Sequence, residues 1–157
     1  MKIVLLCIGR TRDALIEKAT AKYCERIPHY LPFEFVTLPD VKSTAKLSEG
    51  QQKEKEGAMM LGAVQPGDVV VLLDERGREM TSREFSAAIE KRSNSGIKRL
   101  VFIIGGPYGF SQAVYNRADV RLSLSRMTFS HEMVRLFFTE QIYRAMTILR
   151  GEPYHHD

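Results

Sequence analysis

The chain has 157 residues, of which 44% are hydrophobic and 27% are charged. These values are typical of one globular domain, and we treat residues 1–157 as a single domain. The 23 basic and 19 acidic residues give a net charge of +4, which by itself is weak evidence for nucleic-acid binding. No segment approaches the roughly 18 apolar residues of a membrane span. We therefore expect a cytoplasmic protein without a membrane partner.

The cysteines and histidines argue against disulfide or zinc chemistry. Cys7 and Cys24 are too few for a disulfide framework, and we predict that both are small buried side chains. The four histidines lack zinc-ligand spacing, so we expect no metal site. Lys98 is the last lysine, and the basic residues after it, histidines aside, are all arginines. Their planar guanidinium groups suit phosphates and bases, although surface ion pairs would explain any single one equally well.

Apolar runs alternate with helical patterns along the whole chain. The predicted strands are residues 2–8, 33–38, 69–73, 99–104 and 120–124. The predicted helices are residues 13–27, 43–64, 81–93, a short segment capped by Ser111, and 131–149. Thr81 and Glu84 predict a capping box at the start of the third helix, and Ser130 is the predicted N-cap of the last. Within the second helix, residues 53–56 are charged and predict a solvated face. The alternation predicts an α/β fold with a mostly parallel sheet flanked by helices on both faces.

Ligands of open α/β sheets bind beyond the carboxyl ends of the strands. Three such ends are candidates here, at residues 73–75, 105–107 and 124–126. The second follows a G-G-P-x-G spacing, which matches neither the dinucleotide fingerprint nor the phosphate-binding P-loop. Its glycines let backbone approach a ligand, but a plain tight turn explains them too. The third combines apolar side chains with free backbone groups, as an adenine ring requires, although an ordinary strand-to-helix connection has the same composition.

The last helix is apolar over most of its circumference, which predicts burial on nearly all sides. Either it is the central core helix, or a second copy of the chain covers it in a homodimer. Its polar residues would then lie in narrow strips near the subunit boundary; they are Arg135, Glu140, Tyr143, Arg144 and Arg150. The tail brings Tyr154, His155 and His156, which would contact RNA or form a frayed end.

Seven segments, quoted together, carry a resemblance to a known family. They are residues 4–9, 53–57, 73–77, 104–109, 122–131, 140–145 and 153–155. Together they resemble the bacterial large-subunit rRNA pseudouridine N3-methyltransferases of the SPOUT superfamily, over the whole chain and at matching length. The resemblance implies a C-terminal deep trefoil knot, a fold feature that is otherwise nearly absent from proteins. It also implies a homodimer packed through the knot region.

The resemblance further implies an S-adenosyl-L-methionine pocket in the knot, built from the three strand ends. The residues it implies are Leu73, Gly105, Gly106, Leu124, Ser125, Arg126, Met127, Thr128 and Phe129. The implied activity is methylation of N3 of a pseudouridine in the helix 69 loop of 23S rRNA. The implied partner is the assembled ribosome, and we expect no DNA partner.

Physical chemistry limits what such an enzyme must do. The methyl donor carries its own activation as positive charge, so the protein's task is chiefly positioning, without a metal. The N3–H of pseudouridine is weakly acidic and must lose its proton, which calls for a base or for a group that stabilises the anion. The candidates are His131, Arg135, Arg144, Tyr154 and His155. The sequence assigns the role of base to none of them.

Three alternative functions stay open. A non-enzymatic RNA-binding or ribosome-associated factor would keep the fold and would bind without transferring a methyl group. A SPOUT enzyme acting on a different nucleotide, such as a tRNA ribose, would share the cofactor pocket. A flavodoxin-like or nucleotide-hydrolysing protein would need a phosphate motif, which the sequence lacks.

Overall fold

Strands and helices alternate strictly in the computed structural model, which describes residues 1–42 and 44–156. The strands are β1 (Lys2–Ile8), β2 (Phe33–Leu38), β3 (Val69–Glu79), β4 (Arg99–Ile104) and β5 (Val120–Ser123). The helices are α1 (Ala14–Arg26), α2 (Glu49–Ala63), α3 (Ser82–Asn94), α4 (Gln112–Arg117) and α5 (His131–Arg150). Single 3-10 turns occupy Ile27–His29 and Thr44–Lys46. The predicted order of elements is confirmed.

The five strands form one sheet in the order β2-β1-β4-β3-β5, and every pairing between neighbours is parallel. All the carboxyl ends therefore lie along one edge, where β1, β4, β3 and β5 end side by side. This confirms the predicted α/β fold with a parallel sheet. The C-terminal trefoil knot that the resemblance implies stays a prediction.

Helices cover both faces of the sheet because alternate residues of each buried strand point to opposite sides. On one face Leu5 and Phe102 pack with Phe85 of α3 and Phe138 of α5. On the other face the neighbouring strand residues pack against α2 and α4; this cluster includes Val4, Leu6, Val101, Ile103, Met60 and Val114. Helix α5 belongs to the first layer, where it packs against both α1 and α3.

Strand β3 is longer than predicted because β5 pairs with it twice. Leu122 lies opposite Leu73 and again opposite Arg78, while residues 74–77 leave the ladder between those two points. A side chain at Gly77 would lie 2.6 Å from the backbone of Leu122, so this excursion requires a glycine. The excursion places Asp74, Glu75 and Arg76 at the carboxyl edge of the sheet.

The start of the second helix was predicted wrongly. Helix α2 begins at Glu49, after the N-cap Ser48, whose hydroxyl accepts a hydrogen bond from the amide of Gln51. The Gln51 side chain accepts in return from the Ser48 amide, which completes a capping box and fixes the first turn there. Thr44–Lys46 is a separate 3-10 turn, and Ser43 lies outside the described residues. The predicted capping box at Thr81 and Glu84 is confirmed.

Several burial predictions need correction. Cys7 is buried, but Cys24 is only partly buried. Glu56 does not share the solvated face of its neighbours, since its side chain is 3% exposed. Arg135 of α5 is buried rather than lying in a narrow strip near a subunit boundary. Phe137 and Leu149 of the same helix are exposed in the single chain, so coverage of α5 by a second copy stays a prediction. No helix in the described part of the chain is long and apolar enough to cross a membrane.

Candidate active site

A cavity of about 870 Å³ lies at the carboxyl edge of the sheet, where β3, β4 and β5 end. This volume is in the range of pockets that bind small organic ligands and cofactors. Leu73, Ile104 and Leu122 form its floor, since they are the last apolar residues of these strands. The walls come from the β3 excursion, from the glycine loop after β4 and from the connection between β5 and α5.

Eight of the nine predicted cofactor residues line this one cavity. They are Leu73, Gly105, Gly106, Leu124, Ser125, Met127, Thr128 and Phe129. The ninth, Arg126, is not among the lining residues. Its side chain is largely exposed and makes a 3.7 Å ion pair with Glu79, a contact that contributes little in water.

The glycine loop is a tight turn and also a wall of the cavity. The Gly109 amide donates to the carbonyl oxygen of Gly106 at 3.1 Å, and Gly109 has a φ of 80°, which favours glycine. A side chain at Gly106 would overlap the carboxylate of Glu56, which lies directly behind the loop. The G-G-P-x-G motif therefore forms a tight turn, and its backbone is also exposed to the cavity, where a ligand could approach it.

The β3 excursion is held by contacts that the sequence did not predict. Tyr115 of α4 donates from its hydroxyl to Asp74 Oδ2 at 2.9 Å, and the amide of Arg76 donates to Asp74 Oδ1 at 2.9 Å. Burial and the bond to Asp74 raise the pKa of Tyr115, so its hydroxyl stays a donor. Tyr115 and Asp74 both line the cavity, and an acid after a buried strand was the only sequence signal for either.

The connection from β5 to α5 is organised by serine and threonine side chains. Ser123 Oγ donates to the carbonyl oxygen of Ser125, and Ser125 Oγ accepts from the amide of Met127, both at 2.9 Å. Thr128 Oγ1 donates to Glu75 Oε2 at 3.2 Å and thereby ties the connection to the β3 excursion. Ser130 then caps α5, as predicted, by accepting from the Met133 amide.

The predicted catalytic residues do not come together within one protomer. His131 lines the cavity at the start of α5. Arg144 lies 13 residues further along the same helix, which corresponds to about 20 Å at the helical rise of 1.5 Å per residue. Tyr154 and His155 lie beside Arg144 rather than beside His131.

Arg135, one of the catalytic candidates, is buried against the end of β1. Its guanidinium is 1% exposed and donates to the carbonyl oxygens of Ile8 and Gly9, both at 2.8 Å, and to the hydroxyl of Thr11 at 3.1 Å. One turn earlier, Glu132 accepts from the amides of Arg12 and Asp13. These contacts attach the loop after β1 to the first turns of α5, beside the cavity.

The C-terminal cluster consists of Glu140, Tyr143, Arg144, Tyr154 and His155. Arg144 donates to Glu140 Oε1 at 2.7 Å, and the same oxygen accepts from the Tyr154 hydroxyl at 3.0 Å. Arg144 Nη1 lies 3.2 Å from His155 Nδ1, and the Tyr154 ring lies 4.9 Å from the guanidinium carbon. Burial and hydrogen bonding raise the pKa of Tyr154, and Glu140 raises that of Arg144. The tail is thus packed on α5 through Glu140, which accepts from both Arg144 and Tyr154.

A second, apolar cavity of about 240 Å³ separates the two groups. Leu122, Leu124 and Phe129 line both cavities, and Glu140 of the C-terminal cluster lines the second. Beside it the rings of Phe129 and Phe137 are 5.2 Å apart, and both are exposed, as is Met127. The cavity at the ends of β3, β4 and β5 therefore has an apolar rim on the side that faces the C-terminal cluster.

Comparison with known proteins identifies the class. A family model described as "Predicted SPOUT methyltransferase" matches residues 1–155. A relative from Christiangramia forsetii, "Ribosomal RNA large subunit methyltransferase H", is 58% identical over 99% of both chains. Relatives of the same name from Parabacteroides distasonis and Porphyromonas gingivalis are each 57% identical over the full length of both chains. The chain therefore belongs to the SPOUT methyltransferase family, and within it to the group that these relatives form.

A solved structure with low sequence identity to this chain also supports the fold. It is described as "a probable methylase family protein" from Haemophilus influenzae. The TM-score is 0.51 at 12% identity, and the match covers 95% of this chain but 66% of the other, which is longer. At this identity the similarity concerns the fold alone.

Proposed function

We propose that this protein uses S-adenosyl-L-methionine to methylate N3 of a pseudouridine in the helix 69 loop of 23S rRNA, within the assembled ribosome. The observation that carries the proposal is the cavity at the ends of β3, β4 and β5, built by the residues that the family resemblance assigned to the cofactor. The names of the full-length relatives support large-subunit rRNA as the substrate. Such a substrate implies a cytoplasmic protein.

The cavity fits the proposed cofactor in size and chemistry. Leu73, Leu124 and Phe129 offer apolar surface to an adenine ring, and the irregular backbone at residues 74–77 and 124–129 offers amides and carbonyls to its edge. Gly105 and Gly106 expose bare backbone on the opposite wall. S-adenosyl-L-methionine supplies a methyl group activated by a positively charged sulfur.

The chain's own residues must hold the pyrimidine ring and accept or stabilise the charge released from N3. His131 lines the cavity and its side chain is exposed, so it is placed to take a proton from a group entering there. Arg144 and His155 form a polar cluster whose cation suits an enolate-like oxygen or a phosphate. Tyr154, whose pKa is raised, serves as a hydrogen-bond donor rather than as the base.

We also propose that the working unit is a homodimer. Met127, Phe129 and Phe137 are exposed apolar residues that a second subunit would cover. Within one protomer, His131 and Arg144 lie about 20 Å apart along α5. If His131 and Arg144 act on one nucleotide, the cavity of one subunit must be completed by the C-terminal cluster of the other. A two-fold symmetric dimer permits this arrangement.

Mass mapping of 23S rRNA tests this function. A strain lacking the gene should lose one methyl group from a pseudouridine in the helix 69 loop, and the purified protein should restore it on ribosomes from that strain. Binding of S-adenosyl-L-methionine without methyl transfer would favour the ribosome-associated factor instead. A missing methyl group in tRNA would favour a SPOUT enzyme with another target.

A further inference from the structure

A buried carboxylate lies behind the glycine loop, and the proposed function has not used it. Glu56 of α2 is 3% exposed, and its Oε1 accepts from the Gln52 side chain at 2.9 Å. Its Oε2 is buried and has no hydrogen-bond partner among the described residues. An unpaired buried carboxylate oxygen is costly, so a protein that keeps one needs a compensating interaction.

The carboxylate is directed at the wall of the cofactor cavity. Both of its oxygens lie where the side chain of residue 106 would be, and only a glycine there leaves room for them. Gly106 lines the cavity on its other side, so a single residue of backbone separates Glu56 from the ligand space. Gly57, the next residue of α2, lies equally close to Ser111, so this part of α2 is in tight contact with the segment that follows the glycine loop.

The other acids of the cavity are less able to act at a distance. Asp74 accepts hydrogen bonds from Tyr115 and from the Arg76 amide, and Glu75 is exposed to solvent. Solvent screens an exposed charge, whereas a buried charge acts through a lower effective dielectric. The cations among the lining residues are Lys53, which is one turn before Glu56, and Arg76, which belongs to the β3 excursion.

We infer that Glu56 is a positioning residue that holds the glycine loop from behind and makes the cavity favour the sulfonium cofactor over its demethylated product. The inference rests on the proposed use of S-adenosyl-L-methionine. The product, S-adenosylhomocysteine, differs from the cofactor by one methyl group and one positive charge. A buried negative charge behind Gly106 attracts the charged form and leaves the neutral sulfur unaffected. Methyl transfer then weakens binding by itself, because it removes the positive charge, and this favours release of the product.

Calorimetry with both compounds on Glu56→Gln tests this inference, because glutamine keeps the shape and removes the charge. The affinity for S-adenosyl-L-methionine should fall on the order of tenfold, whereas that for S-adenosylhomocysteine should stay within about twofold. In turnover, KM for the cofactor should rise and kcat should rise or stay level, because the attraction to the sulfonium weakens as its charge is lost during transfer. Glu54→Gln is the matched control, since it removes an exposed charge from the same helix and should change neither affinity.

The outcomes separate this inference from the proposed function. Equal losses for the two compounds would mean that Glu56 only supports the loop, and unchanged affinities would mean that its charge is not felt; both overturn the inference. If the unaltered protein bound neither compound, the proposed function would fail with it. If Glu56→Gln fails to fold, the pair Glu56→Ala and Glu56→Asp decides, because only the aspartate should retain discrimination.

Discussion

Arg135 Nη1 donates a hydrogen bond to the carbonyl oxygen of Gly9 at 2.8 Å, in a side chain that is only 1% exposed. Nη2 of the same guanidinium donates to the carbonyl oxygen of Ile8, the last residue of β1, so the side chain ties α5 to the end of the sheet. Because this guanidinium is hydrogen-bonded to the carbonyl oxygens at the end of β1, it is not free to contact RNA. We therefore expect stability, rather than chemistry, to depend on it.

Replacing Arg135 with methionine should destabilise the protein by about 2–4 kcal/mol, because buried carbonyl oxygens of Ile8 and Gly9 lose their donors. The free energy of unfolding in urea measures this. Arg78→Met is the control, since Arg78 is exposed and its ion pair with Glu84 is 4.0 Å long, so we expect a change under about 0.5 kcal/mol. Unchanged stability with lost methylation would instead make Arg135 a catalytic residue.

Glu132 should make stability depend on pH in the acidic range. The Arg12 amide, first among its contacts, lowers the pKa of Glu132 below its ordinary value of 4.5. The ionised form is thus favoured in the folded state, so its stabilisation is complete above the unfolded pKa and is lost as the pH falls through the lower, folded pKa. Glu132→Gln should be less stable than the unaltered protein at neutral pH, and urea unfolding should show the gap closing as the pH falls below the ordinary value of 4.5. A gap that widens in acid would contradict this assignment.

The contact between Glu56 and Gly106 predicts a coupling between two substitutions. Gly106→Ala should weaken binding of S-adenosyl-L-methionine, because the new methyl group overlaps the Glu56 carboxylate and pushes the loop into the cavity. Adding Glu56→Ala removes the obstacle as well as the charge, so the double variant should lose less binding free energy than the sum of the two single losses, which calorimetry on the single and double variants measures. Strictly additive losses would show that the methyl group obstructs the cofactor itself. Gly62→Ala is the control, since nothing lies within 4 Å of a side chain there.

Mixed dimers test whether the C-terminal cluster serves the partner's cavity. His131→Ala and His155→Ala homodimers should each lose methylation if both residues act in one site. Dimers that combine one subunit of each kind should regain up to about half of the activity per dimer, because one of the two composite sites is then intact. Two inactive parents with no recovery on mixing would place both residues in the same protomer's site.

Tyr154 should not titrate in the pH range where the enzyme works. Burial, first, and hydrogen bonds to Tyr23 and Glu140 raise its pKa above the ordinary value of 10. Tyr154→Phe should therefore lower the rate by removing a donor to Glu140, without moving the midpoint of the pH–rate profile near neutrality. A shift of that midpoint would identify Tyr154 as the titrating group.

Local sequence signals predicted much of the framework. The continuous apolar runs of β1 and β4 and the capping residue Thr81 marked their elements because each signal acts within a few residues. The start of α2 was missed because the capping box at Ser48 overrides a pattern that would also permit an earlier start. Composition therefore indicated the helix, but the side-chain bonds of its first turn decided where it begins.

The parts of the site that escaped prediction depend on contacts between distant residues. The β3 excursion requires Gly77 to lie against Leu122, and the burial of Glu56 requires Gly106, which is 50 positions away in the numbering. Arg135 looked like a surface residue because the acceptors at the end of β1 are only visible in the fold. The eight residues that share the cavity were found through resemblance to a family, since spacing alone left other interpretations open.

Helix α5 sets the distance between the cavity and the C-terminal cluster, and it also sets the angle between them about the helix axis. Each residue of an α-helix turns the chain by about 100° and advances it by about 1.5 Å. A single residue inserted after Arg135 would turn the rest of the helix by about 100°, which would move Glu140 and Arg144 to another side and would also take Phe138 and Ile142 out of the core. The relative position of the two halves of the candidate site is thus set by the helical register of α5. Substitutions in either half are therefore easier to accommodate than a change in the length of the helix between them.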